Sequence, residues 1–416
     1  MVAAATASVA QTAVCEKSLT ENENKFRCNN HKKKKGSLNT EIIAKSKKRL
    51  KPSNSSPVND KKDRTGSTTQ LDDFVGAGLD NLGNTCYMNS ILQCLIHTCN
   101  LIEKLSLHKK SLGYQPGHND DGKCILCCLY NLAKCSQKLS GSHFEPKGIH
   151  SKIPDIAKKF LPGRQEDAHE FLRLLLDSLD VMASKQDKES EQGKRIVNDT
   201  FGGKISTQVT CTNCGTKSGV TDPIQDLSLE IDSEKISTIE DALEHFTESE
   251  TLDGENKYSC EKCKEKTVAQ KQIRIHDLPP VLVVQLKRFQ LYKKVSKRIP
   301  FLESLEVDCA EAVNSNDETK LSAVSTNELK LSTERSSKRK SVEELDSTSG
   351  KVRVNCELYG IVVHSGFSRN GGHYFCYLKR GGSWYRFDDS IVSKTTWDAV
   401  KSEEAYILFY KTNHGR

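Results

Sequence analysis

Gly78-Leu79-Asp80-Asn81-Leu82-Gly83-Asn84-Thr85-Cys86-Tyr87-Met88-Asn89 marks the passage from a polar, glycine-bearing loop into an amphipathic helix. From Met88 onward the apolar residues Met88, Ile91, Leu92, Leu95, Ile96 and Cys99 recur at helical spacing. Asn84 or Thr85 is placed to cap that helix, which puts Cys86 in its first turn. Unpaired backbone N–H groups and the positive end of the helix dipole favour a thiolate there. The thiolate is the nucleophilic form, so Cys86 is the candidate nucleophile. Asn81, earlier in the same loop, can turn its amide toward an oxyanion forming beside the sulfur. The bland alternative is a helix-start cysteine that only packs, and this stretch alone does not separate the two.

A nucleophilic cysteine needs a base, and the far end of the chain offers one. His373 lies in Gly371-Gly372-His373-Tyr374-Phe375-Cys376-Tyr377-Leu378, a glycine pair followed by a strand-like run. Arg380-Gly381-Gly382 reads as a tight turn, and Ser383-Trp384-Tyr385-Arg386-Phe387-Asp388-Asp389 as the returning strand. A two-residue loop at Arg380-Gly381 sets Asp388 opposite His373, whereas a three-residue loop sets Asp389 there. Either way a carboxylate arrives beside the imidazole, which orients the ring and stabilises its protonated form. A histidine opposite an Asp pair, with a helix-start cysteine elsewhere, points to a cysteine hydrolase.

At these residues the chain resembles the ubiquitin-specific protease family of deubiquitinating enzymes. Four stretches occur in that family's order: the cysteine box from Asn81 to Leu95; Gln165-Glu166-Asp167-Ala168-His169-Glu170-Phe171-Leu172; Leu286-Lys287-Arg288-Phe289; and Gly371-Gly372-His373-Tyr374. Four ordered boxes are specific where one would be weak. Asp253-Gly254-Glu255-Asn256-Lys257-Tyr258-Ser259-Cys260 and His373-Tyr374-Phe375-Cys376-Tyr377 are most similar to the nuclear and nucleolar subgroup.

The resemblance implies an α+β, papain-like cysteine protease fold over residues 76–412. In it a helical thumb (about 76–200) precedes zinc-bearing β fingers (about 201–275) and an antiparallel β palm (about 276–412). It implies cleavage after the C-terminal glycine of ubiquitin, with ubiquitin and ubiquitinated proteins as partners, no catalytic cofactor, and a monomer. It further implies Cys86 as nucleophile, His373 as base, Asp388 as third triad member and Asn81 as oxyanion donor. The family often carries Asn or Asp at the Asp388 position followed by Asp, so Asp389 is kept as an assisting residue. By the same resemblance, Asp167 and Gln165 hold the ubiquitin tail, whose arginines favour a carboxylate partner. The alternative for these acidic residues is ordinary opposition to a helix dipole, in a helix running through Phe171, Leu172, Leu174, Leu175 and Leu176. A tail ending in Gly-Gly needs a slot too narrow for side chains. Gly366, Gly371 and Gly372 can supply closely approaching backbone there, with residues 367–370 as a mobile lip, although turn geometry alone also explains such glycines.

Two further cysteine pairs, Cys211-Thr212-Asn213-Cys214-Gly215 and Cys260-Glu261-Lys262-Cys263, each present two thiols from one turn. Together they make a closed four-cysteine site for one structural zinc. The long gap between the pairs holds an alternating strand (Ile224, Leu227, Leu229, Ile231) and a helix opened by a capping box at Ser237-Thr238-Ile239-Glu240. Cys124, Cys127, Cys128 and Cys135 are interleaved with apolar residues, which suits a buried helix rather than a second metal.

The chain has sixteen cysteines, and Met1-Val2-Ala3-Ala4-Ala5 lacks the basic start and apolar core of a secretory signal. No run approaches the ~20 apolar residues needed to cross a membrane. The expectation is an intracellular protein with reduced thiols and no membrane contact. Residues 1–75 carry fifteen Lys plus Arg against eight Asp plus Glu, a charge of +7 that equals the whole chain's, so the remainder is balanced. The basic clusters, Lys32-Lys33-Lys34-Lys35 among them, sit in Ser, Asn, Thr and Pro, the composition of a disordered tail. Such a tail suits nuclear or nucleolar targeting, with cytoplasm as the alternative, and weak nucleic-acid contact. A second polar stretch at about 308–350, with Ser336-Ser337-Lys338-Arg339-Lys340, reads as a flexible insertion in the palm. The rival classes are a ubiquitin-binding scaffold without turnover and a nucleic-acid-binding zinc protein. Filled triad positions argue against the first, and balanced charge outside the tail argues against the second.

Overall fold

A computed structural model of the protein describes residues 74–111, 124–186, 195–290, 293–310, 351–368 and 371–413. The expected basic tail up to residue 73, the stretch 311–350 with its basic run, and residues 369–370 of the expected lip lie outside the described residues.

The fold is built on one mixed sheet. Its strands lie in the order Ile391–Thr395, Ser383–Asp388, Gly371–Arg380, Lys351–Ser368, Ala405–Asn413, Val281–Leu286 and Leu227–Leu229, and Ser304–Ala310 also pairs with Lys351–Ser368. Strict alternation along these strands divides two cores. Val281, Val283, Val362, Cys376, Leu378, Ile407 and Phe409 face one layer. Leu282, Val284, Ile361, Val363, Phe375, Tyr377, Leu408 and Tyr410 face the other. Both faces are covered, which is why these strands read as nearly continuous apolar runs.

The first layer is the helical thumb. Its centre is the cysteine helix Cys86–Ile96, with all eleven residues buried, packed on the histidine strand Gly371–Arg380 and on the long helix Ala168–Gln186. Tyr87 sets its ring edge-on between Phe160 and Phe171, each centroid 5.6 Å away. Cys124, Cys127 and Cys128 are buried in this core as expected, whereas Cys135 is exposed. The fingers are a thinner, four-stranded sheet, ordered Lys217–Ile224, Gly203–Cys211, Ala269–Asp277, Glu250–Leu252.

Four expectations need correction. The palm is not wholly antiparallel, because Leu227–Leu229 pairs in parallel with Val284, Gln285 and Leu286. That strand was expected between the finger cysteines, but its buried leucines join the palm core instead. The insertion begins later than residue 308, since Asp308, Cys309 and Ala310 pair with Arg353, Val352 and Lys351. Helix Ile239–Thr247 is capped by Thr238 with Asp241 as its reciprocal partner, one position on from the expected box. No described helix is long and apolar enough to cross a membrane.

Candidate active site

Cys86 is the first residue of its helix, with Thr85 at the cap position. The expected side-chain cap is absent. Thr85 Oγ1 instead accepts from Leu82 N at 2.9 Å, and Asn81 Oδ1 accepts from Gly83 N at 3.1 Å and Thr85 N at 3.0 Å. Asn81 therefore closes an Asx-type turn that fixes the loop feeding the helix. The first-turn amides keep their freedom beside the sulfur. With its carbonyl committed, Asn81 directs Nδ2 to Asp389 Oδ2 at 2.9 Å, which engages one of its two N–H groups.

His373 stands near the start of the strand packed against that helix. The turn beyond this strand is Gly381-Gly382, both with positive φ (51° and 73°), and Arg380 pairs with Ser383. This two-glycine hairpin differs from both expected loops. Its register, Cys376 with Phe387, extrapolates to Ser390 rather than Asp388 or Asp389 opposite His373. Asp388 reaches the imidazole diagonally, with Oδ1 2.5 Å from Nε2. Arg386 Nη2 holds its other oxygen at 2.7 Å while the guanidinium stacks over Phe375. The remaining ring nitrogen serves Cys86. The hydrogen bond to Cys86 is the first cause that pushes the His373 pKa up to about 9, with Asp388 adding to it against burial. Cys86, His373 and Asp388 thus form one line across the seam between thumb and palm.

Asp389 stands beside them. It adopts a left-handed conformation (φ 49°), and its carboxylate lies within 4.8 Å of a His373 ring nitrogen while it hydrogen-bonds to the cysteine loop. Its carbonyl accepts from Leu79 N at 2.8 Å, and its carboxylate takes Asn89 Nδ2 at 2.8 Å as well as Asn81.

Beside this line the two strands carrying Gly366 and Gly372 pack backbone to backbone. A Cβ on Gly372 would meet His364 Nε2 at 2.4 Å and Ser365 O at 2.6 Å, and one on Gly366 would meet Gly371 O at 2.6 Å. Gly371 itself would meet only Ser368 Oγ at 3.4 Å, so the tightness resides in Gly366 and Gly372. Gln165 clasps the Gly372 peptide from the thumb side, accepting from its N–H at 2.8 Å and donating to its carbonyl. Asp167 precedes its helix rather than opening it. Its Oδ1 accepts from His169 N at 2.9 Å and Glu170 N at 3.0 Å, a capping role, and Tyr406 OH donates to the carboxylate at 2.8 Å. Asp167, His169, Phe289 and Tyr406 line a cavity of about 400 Å³.

At the fingertip the sulfurs of Cys211, Cys214, Cys260 and Cys263 lie within 4.8 Å of one another. Cys211 and Cys263 are 3.9 Å apart, and Cys214 and Cys260 are 3.6 Å apart. A tetrahedral ion with ~2.3 Å zinc–sulfur bonds sets sulfurs about 3.8 Å apart, so the donor set and its spacing fit zinc. All cysteines among the described residues are free thiols.

Sequence reasoning did not single out Asn89, which lies one helical turn beyond Cys86 and donates to Asp389.

The family model described as "Ubiquitin carboxyl-terminal hydrolase" matches residues 77–410. Ubiquitin carboxyl-terminal hydrolase 25 of Arabidopsis thaliana is 37% identical over 350 residues, covering 82% of this chain and 48% of its own length. Human ubiquitin carboxyl-terminal hydrolase 42 is 34% identical over 349 residues, covering 82% of this chain and 23% of its own. The chain thus spans about half or less of these relatives. Among solved structures, the SAGA Ubp8/Sgf11/Sus1/Sgf73 DUB module bound to ubiquitin aldehyde is similar, with a TM-score of 0.61 and 28% identity over 83% of this chain and 71% of that one. The same module bound to monoubiquitin gives a TM-score of 0.62, covering 85% of this chain and 72% of that one.

Proposed function

The chain belongs to the ubiquitin carboxyl-terminal hydrolase family, and from that premise we propose that it is a thiol protease that cleaves the bond after the C-terminal glycine of ubiquitin. The observation that carries the reading is the line Cys86–His373–Asp388. A His373 pKa near 9 keeps the imidazole protonated at neutral pH, so it can pair with a Cys86 thiolate. The thiolate attacks the terminal glycine carbonyl, forming the C–S bond. The resulting oxyanion meets the free N–H of Asn81 and the first-turn amides. Collapse expels the lysine amine, which takes the imidazolium proton. Neutral His373 then removes a proton from water, which attacks the thioester, and the thiolate leaves to restore the pair. Asp388 holds the ring in the tautomer that presents its other nitrogen to sulfur throughout.

The Gly-Gly end of the tail, with no side chains, suits a site bordered by closely packed backbone at Gly366 and Gly372. Asp167 and the cavity beside it offer carboxylate to the basic residues of the tail, although capping already occupies Asp167. Cys211, Cys214, Cys260 and Cys263 would hold one zinc, which closes the fingertip and takes no part in catalysis. The basic N-terminal tail supports nuclear entry, and a truncation starting at residue 76 that still accumulates in nuclei would exclude that.

The test of the central reading is turnover of ubiquitin carrying a C-terminal fluorogenic amide. Hydrolysis by the parent protein and none by His373→Ala, with ubiquitin still bound, supports it. Unchanged turnover by that variant removes His373 as the base.

A further inference from the structure

Among the buried polar groups that this mechanism leaves unused, Asn89 has the least ordinary surroundings. It is 2% exposed, one turn along the helix that Cys86 begins. Three acceptors converge on one end of its side chain: Leu79 O at 3.2 Å, Asp80 O at 3.3 Å and Asp389 Oδ1 at 2.8 Å. An oxygen there would face three oxygens, so the amide orientation is fixed and the nitrogen occupies that end. The opposite end, Oδ1, is buried without a hydrogen-bond partner. Packing and helix propensity would be served as well by a residue with no polar atom to orphan. Gln93, buried in the same helix, shares an unpaired amide oxygen but donates to Ala77 O, whereas Asn89 reaches a residue that holds the oxyanion donor.

Asp389 Oδ1 takes Asn89, and Oδ2 takes Asn81. We infer that Asn89 is a positioning residue for the oxyanion donor: through Asp389 it sets where the Asn81 amide points. The inference rests on the hydrolase reading above and deepens it. Adjacent carboxylates then divide the labour, Asp388 steadying the base and Asp389 the oxyanion amide. The helix that delivers the sulfur also carries the residue that registers the donor against it. Nucleophile and donor are therefore indexed to one rigid element, although Asn81 itself sits on a loop. Asn81 spends one N–H on Asp389 and keeps the other for the substrate oxygen. Because a carboxylate accepts the first, the amide is held before substrate arrives, and no reorganisation is needed at the moment of attack.

The experiment is a double-mutant cycle on turnover of ubiquitin with a C-terminal fluorogenic amide, using the parent, Asn89→Ala, Asn81→Ala and the double variant. Removing an oxyanion donor outright costs about 10²–10³ in kcat, so losing its positioning is expected to cost about 10- to 100-fold. KM should stay within about two-fold, and iodoacetamide should alkylate Cys86 at the parental rate, since the thiolate–imidazolium pair is untouched. The double variant should be no slower than Asn81→Ala alone. A kcat for Asn89→Ala within about two-fold of the parent, or losses that multiply in the double variant, overturns the inference while leaving the hydrolase reading intact. Should Asn89→Ala not fold, Asp389→Ala tests the same chain from its less buried side, and its cycle with Asn81→Ala must show the same non-additivity. No turnover by the parent removes the hydrolase reading, and the inference with it.

Discussion

Cysteine sits in two different surroundings in this molecule, and the cleft and the fingertip show what separates them. At the fingertip four sulfurs face one another across 3.6–3.9 Å contacts, on two turns of a thin sheet. In the cleft one sulfur faces an imidazole across the seam between two layers, with unpaired first-turn amides at its back. A closed set of thiols leaves no coordination position for chemistry. A single thiol against a cation leaves the nucleophile available. The residue type is the same, and the partners decide the outcome.

The largest effect that sharpens this contrast is Cys86→Ala, which should abolish turnover, a loss of about 10⁴-fold or more. The same change on Cys135, an exposed thiol elsewhere in the thumb, should leave turnover unaltered. The fingertip comes next. The proposal expects one tightly held zinc per chain by elemental analysis. Cys214→Ser should lower that content and weaken ubiquitin binding while Cys86 still reacts with iodoacetamide at its parental rate. Protein with no metal and full ubiquitin affinity would break the contrast from the other side.

Asp388→Ala should lower kcat by up to about 10⁴-fold, through loss of the side chain that orients the imidazole. Cys86→Ala should bring the His373 pKa down from about 9, because Cys86 is the first cause of its elevation. Proton NMR of the ring reports this, and a value that stays near 9 would assign the elevation to Asp388 instead. The sign follows from a folded value raised above the ordinary 6.5. The pair's contribution to stability is fully present below about pH 6.5 and fades as pH rises through about 9. The alkaline limb of turnover should lie near the same pH. The smallest effect is a control: Thr238→Ala should cost about 1 kcal/mol of stability through its lost cap, with no change in kcat.

The two regions also differ in how readily their sequence declares them. The fingertip was legible because each cysteine pair is local, and two such pairs have one sensible use. The strands of the palm were legible because burial on both faces leaves short, nearly continuous apolar runs, as in Val281–Leu286. The cleft was legible in its residues and not in its joins. Whether the hairpin turned at Arg380-Gly381 or Gly381-Gly382 depended on two positive-φ glycines that the one-letter pattern could not rank. That one-residue difference moved the ladder by two, so that Ser390 rather than Asp388 falls opposite His373. Asp167 was expected inside its helix because acidic first turns are common, whereas its side chain caps the helix from outside. Asn89 was passed over because a polar residue in an apolar helix declares nothing until the acceptors around it are known.

The most direct measurement is a covalent trap: ubiquitin bearing a C-terminal electrophile, reacted with the intact protein and mapped by peptide mass spectrometry. One adduct, on Cys86 alone, abolished in Cys86→Ala, is the predicted result. An adduct on another of the sixteen cysteines, or none at all, would contradict the account.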